Sequence, residues 1–118
     1  MRSESRLRHL DAARVNTPVG NLDHIPVIGP TEGSLGMLEG VIIDPAERHV
    51  CYYVVEARKR LKTHRYLIPD NPVRLDPNRK ALHVDLEVSD LSDLQELGTD
   101  EFPAFSDEDL VTAMFATR

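Results

Sequence analysis

Cysteine and aromatic residues are scarce: the chain has one cysteine, Cys51, no tryptophan, and only 5% aromatics in 118 residues. A single cysteine excludes an intrachain disulfide. Set among tyrosines and valines, Cys51 reads as a small buried hydrophobe, without the cationic or helix-terminal setting that activates a thiolate. Few aromatics mean an aliphatic core of Val, Ile and Leu. Long apolar runs are missing too. No stretch approaches the ~18 residues needed to cross a bilayer, and "MRSESRLRHLDAARV" lacks the apolar segment of a secretory signal. The expected location is therefore the cytoplasm, and no transmembrane segment is expected.

Positive charge is in deficit overall, with a net charge of −6, yet the charges are segregated. Residues 56–80 carry eight basic groups against three acidic ones, whereas residues 85–109 carry ten acidic groups and no basic one. Such blocks act over about one Debye length, ~8–10 Å, so the mean charge hides two local fields of opposite sign. An overall basic footprint, the usual mark of a generic nucleic-acid binder, is absent.

What is present is a series of short β-like runs. Hydrophobic residues make up 41% of the chain, and its length suits one domain with one core. Residues 1–21 are polar and Arg-rich, with Leu7, Leu10 and Val15 as anchors, and are expected to form a loosely docked N-terminal arm. From about Ile25 the runs "IPVI", "MLEGVIID", "HVCYYVVEA", "YLIP" and "ALHVDLEV" alternate with turn signals. The runs on either side of Asp44-Pro45 are apolar on both faces, as strands covered on two sides are, and Val41-Ile42-Ile43 with Val54-Val55 should be the most buried. Asp44 and Pro45 fit the first two corners of a type I turn, and Asp76 and Pro77 repeat the arrangement. Two hairpins with the same turn chemistry explain that repeat.

After Val88 the pattern changes. Ser92 with Gln95, and Ser106 with Asp109, have the spacing of capping boxes, and Leu110/Met114 and Val111/Phe115 are i,i+4 apolar pairs. Residues 89–118 are thus expected to form an acidic C-terminal segment with one or more short α-helices packed on the β unit.

Few motifs point to chemistry. Gly33, Gly36 and Gly40 match neither a P-loop nor a dinucleotide fingerprint, and no helix follows them; they are expected to shape turns, bulges or tight strand curvature. His9, His24, His49, His64 and His83 show no ligand spacing, although a fold could gather His49, His64 and His83. The C-terminal carboxylates are accounted for by helix capping. No catalytic, cofactor-binding or metal-binding residue is assigned, and no cofactor is expected. The basic stretch "RKRLKTHR" is the patch that suggests a contact: Arg58, Lys59, Arg60, Lys62 and Arg65 would meet an acidic protein surface, or phosphates, from a β hairpin. A solvated, charge-protected strand edge accounts for the same residues.

With these runs in place, the middle of the chain resembles the PRC-barrel family, which includes the cytoplasmic domain of the photosynthetic reaction-centre H subunit and the C-terminal domain of a ribosome-maturation factor. The likeness rests on "VIGPTEGSLGMLEGVIID", "RHVCYYVVE" and "HRYLIP" in that order, over residues 22–88, and "FPAFSDEDL" resembles the tail of small bacterial single-domain members. It implies a mainly β fold, a small β-barrel without shared catalytic residues that serves in docking or assembly. The expected function is a non-catalytic protein–protein interaction module that self-associates, a homodimer being favoured. The alternative is an RNA- or ribosome-associated factor acting through hairpin 58–65.

Overall fold

The computed structural model describes residues 7–17, 20–31, 33–59, 61–70, 73–76 and 81–97. The fold is mainly β. Nine strands follow one another: β1 (Arg8–Asp11), β2 (Asn16–Thr17), β3 (Gly20–Asn21), β4 (Pro26–Ile28), β5 (Ser34–Asp44), β6 (His49–Lys59), β7 (Lys62–Pro69), β8 (Val73–Asp76) and β9 (Ala81–Val84). One sheet runs in the order β7-β6-β5-β4-β9-β8, with β1 also on β5, and β2-β3 form a separate two-stranded ribbon. All pairings in the large sheet are antiparallel except β4 with β9.

β5 organises the sheet. Along one margin it pairs with β6 from Met37 to Asp44. Its other margin is divided: β4 pairs with Ser34–Met37, and β1 pairs with Gly40–Ile43. The β-branched and apolar run "GVIID" explains the strand, since both of its faces are buried and the branched side chains fit a pleated surface. Gly36 is obligatory here. Its φ is +147°, and a Cβ would collide with the Glu56 carbonyl oxygen across the ladder.

The β5–β6 connection shows how local chemistry sets register. Asp44 is 3% exposed, and its Oδ1 accepts hydrogen bonds from the backbone N–H groups of Ala46 (3.0 Å) and Glu47 (3.2 Å). The Arg48 N–H donates to the Asp44 carbonyl at 2.8 Å, with Arg48 at φ +56°. Pro45 stands at the first corner after Asp44, where its fixed φ suits the turn.

The main core lies on one face of the sheet. It draws Leu10 from β1, Val27 from β4, Leu38, Val41 and Ile43 from β5, Tyr53 and Val55 from β6, Ile68 from β7 and Leu82 from β9, each at most 3% exposed. Val73 and Leu75 of the far edge strand pack against the same cluster. A cluster touched by both ends of the strand order requires a sheet that curls round it. Each buried Leu, Ile or Val contributes about 1.5–3 kcal/mol to that collapse. No pairing among the described residues joins β7 to β8, so the described strands do not close into a barrel.

The opposite face of β5-β6-β7 holds a smaller cluster: Ile42, Val54, Leu67 and Leu97, flanked by Leu7 and Tyr52. Val41, Ile42, Ile43, Val54 and Val55 are all 0% exposed, divided by alternation between the two faces.

Two expectations need correction. Of the arm expected over residues 1–21, residues 8–11 join the large sheet as β1, residues 16–17 and 20–21 form the separate ribbon, and Leu10 and Val15 are buried at 0–1% rather than loosely docked. For β1 one buried leucine, Leu10, suffices because β5 offers the strand an unpaired margin. The C-terminal segment, in its described part, is not α-helical. Val88–Asp93 form a 3-10 helix whose capping box is Glu87 with Asp90, the Glu87 N–H donating to Asp90 at 2.8 Å, and position 92, expected to cap a helix, falls inside this one. The chain then runs beside β7, with the Leu67 N–H donating to Gln95 (2.9 Å) and the Leu97 N–H to Arg65 (2.8 Å). The helix expected over 106–115 lies outside the described residues. Among the described residues, no helix is long and apolar enough to cross a membrane.

Candidate functional site: the basic hairpin and the charged outer face

The β6–β7 hairpin carries the basic stretch in a defined register: Lys59 opposite Lys62, Arg58 opposite Thr63, Ala57 opposite His64 and Glu56 opposite Arg65. Leu61, at the tip, is 97% exposed. Arg58 and Lys62 are exposed and have no ion-pair partner among the described residues. Arg65 differs: its Nη1 lies 3.4 Å from Glu39 Oε2. Arg65 is therefore committed within the chain, and the free basic surface is at the tip. Arg60 lies outside the described residues.

The histidines singled out by position are each occupied separately. His64 Nδ1 sits 2.9 Å from Glu96 and the ring stacks on Tyr66 at 6.1 Å; His83 Nε2 sits 3.1 Å from Asp76. His49 Nδ1 lies 3.9 Å from Cys51 Sγ, and Cys51 is half-buried rather than buried. Among the described residues, His49, His64 and His83 are not brought together as a ligand group. Of the remaining turn residues, Gly33 accepts the Gly29 N–H at 2.9 Å, Asp76 ends β8, and Pro77 lies outside the described residues.

A second constellation lies on the outer face, beyond the small apolar cluster. It forms where β1 crosses the second half of β5. His9 is opposite Ile42 and Asp11 opposite Gly40, so both project on the side that carries Ile42. Between Leu38 and Gly40 the β5–β6 register shifts, with Leu38 facing Val55 and Gly40 facing Val54. Glu39 is the extra residue of this bulge. A bulge re-aims its unpaired side chain, and here the carboxylate meets His9, Oε1 lying 3.1 Å from Nε2. Gly40 makes this possible: a Cβ there would stand 2.8 Å from His9 Nε2 and 2.7 Å from the Leu10 carbonyl oxygen.

His9 also approaches Asp11, Nδ1 to Oδ1 being 4.0 Å, and Arg65 holds the other Glu39 oxygen. The His9 hydrogen bond, together with the His9 and Arg65 charges, holds the Glu39 carboxyl below the usual carboxylate range, although burial pulls the other way. A cleft of about 250 Å³ opens beside these groups, lined by Asp11, Asp23, Glu39 and Glu56 with Met37. This cluster was not anticipated. Its one local signal is Glu39, a lone charge in the otherwise apolar run "MLEGVII", placed beside a glycine.

A scan against protein-family models and a search of curated proteins find no match to the chain.

Proposed function

We propose that the protein is a non-catalytic, cytoplasmic assembly module of the PRC-barrel type that associates with a second copy of itself through the β6–β7 hairpin. The observation that carries this reading is the tip. A leucine 97% exposed stands between Arg58 and Lys62, which have no internal partner among the described residues. An acidic surface brought against the tip would pair with Arg58 and Lys62, and the sequence supplies ten acidic residues in 85–109. An apolar anchor ringed by charges is a familiar design for a docking spot.

Sedimentation velocity at low and high salt tests this. Wild type is expected to form dimers that weaken with salt, and Leu61→Ser with Lys62→Glu is expected to be monomeric with an unchanged fold. A wild type that is strictly monomeric at both salt concentrations overturns it.

The second reading, RNA or ribosome binding through the same cations, has Arg58 and Lys62 in its favour. Against it, Tyr66 is 6% exposed and packed in the core, and the His64 ring is already stacked on Tyr66 and bonded to Glu96, so neither ring stands open for a base to stack on. Loss of ribosomal co-sedimentation in Lys59→Glu with Lys62→Glu would favour it.

A further inference from the structure

We infer that His9, Asp11 and Glu39 form a binding site for a first-row divalent cation, with Zn²⁺ the best-suited ion. The three side chains place one imidazole nitrogen and two carboxylate oxygens within 4.8 Å of one another. Ligands of one ion at ~2.0–2.2 Å stand roughly 3–4 Å apart. The 3.1 Å between His9 Nε2 and Glu39 Oε1 already has that separation. Asp11 Oδ1 lies 4.0 Å from the other ring nitrogen, Nδ1, so its carboxylate, on a side chain 64% exposed, must swing round the ring edge to reach an ion held by Nε2 and Glu39.

Four features set this group apart from an ordinary surface ion pair. Its donors come from two strands and are brought together by a bulge and by the missing side chain of Gly40, which leaves the His9 ring its place over β5. Glu39 has an outer partner, since Arg65 holds Oε2 and leaves Oε1 directed at the site; such second hydrogen bonds orient metal-binding carboxylates. An entry path exists, because the cleft of about 250 Å³ opens on both Asp11 and Glu39 and has room for waters to complete the coordination. Finally, Glu56 lines the same cleft and adds negative potential, while Asp23 there is engaged by His24 at 2.6 Å.

The donor set selects the ion. One imidazole with two carboxylates suits a borderline cation such as Zn²⁺, whereas Mg²⁺ prefers all-oxygen octahedral surroundings and gains little from a nitrogen. Copper competes on affinity alone, as it does at most such sites.

Isothermal titration of the full chain with ZnCl₂, beside histidine side-chain NMR, decides the matter. Wild type is expected to take up one Zn²⁺ per chain, with the His9 ring resonances shifting first and MgCl₂ producing no comparable change. Asp11→Asn and His9→Gln are each expected to bind at least tenfold more weakly, while His83→Gln, which disrupts a separate His–Asp pair, binds as wild type does. Asp11 is exposed, so its variant keeps the fold, and circular dichroism verifies this for both. Absence of saturable binding by wild type overturns the inference. So does binding that shifts His24, His49, His64 or His83 instead, or that survives Asp11→Asn and His9→Gln unchanged.

Discussion

The two faces of the β5-β6-β7 sheet are made by the same three strands, yet they have different tasks. The inner face gathers Val41, Ile43, Tyr53, Val55, Tyr66 and Ile68 into the core that every large-sheet strand shares. The outer face is divided. Near one end Ile42, Val54 and Leu67 form a small apolar cluster, and towards the other stand His9, Asp11, Glu39, Glu56 and Arg65. Alternation alone produces both. The difference shows that the apolar outer cluster anchors the strands and leaves the remaining outer surface free to carry charge.

Adjacent residues on opposite faces give the largest test of this comparison. Ile68→Ala and Leu67→Ala remove similar side chains from neighbouring positions, both nearly fully buried. Urea unfolding is expected to show a loss of about 3–5 kcal/mol for Ile68→Ala, and about 2–3 kcal/mol for Leu67→Ala, whose smaller surrounding cluster can collapse more readily. Equal losses would mean that the outer cluster is a second core in its own right.

Gly40→Ala tests the junction of the two halves. The new methyl meets the Leu10 carbonyl and the His9 ring, so β1 must shift away from β5. A destabilisation of about 1–3 kcal/mol is expected, with loss of amide protection in residues 8–11 measured by hydrogen exchange.

The smallest effect concerns acid. Glu39 has a depressed carboxyl pKa in the folded chain, so the unfolded chain binds more protons as the pH falls. The stability supplied by its His9 and Arg65 contacts is therefore complete above the unfolded value, near pH ~4.3, and is lost as pH drops through the lower folded value. Denaturant titrations between pH 6 and pH 3 are expected to give a shallower acid loss for Glu39→Gln than for wild type, by about 1 kcal/mol or less, because the pair is partly exposed.

What sequence could reveal followed from whether the cause was local. The β5–β6 turn was legible because Asp44 satisfies the N–H groups of its own successors and Pro45 fixes its own φ, and the central strands because two-sided apolar runs have few other uses. The strand β1 was not: with Leu10 as its buried residue, "RHLD" becomes a strand only because the margin of β5 beyond β4 is vacant, a fact thirty residues away. Glu39 was equally hidden. A bulge is a mismatch between two strands, and neither strand records it alone. Arg58 and Lys62, without an ion-pair partner among the described residues, and the committed Arg65 likewise share one composition, and only the position of Glu39 separates them.

The divided margin of β5 also bears on how the chain acquires its shape. During synthesis β1 emerges from the ribosome well before residues 40–43 clear it, so this strand must wait, unpaired, for its seat. The β5–β6 hairpin can zip locally, whereas β1 arrives only by closing a loop of about thirty residues. Late docking of β1 is the expected order, and the polar residues around it keep it harmless while it waits.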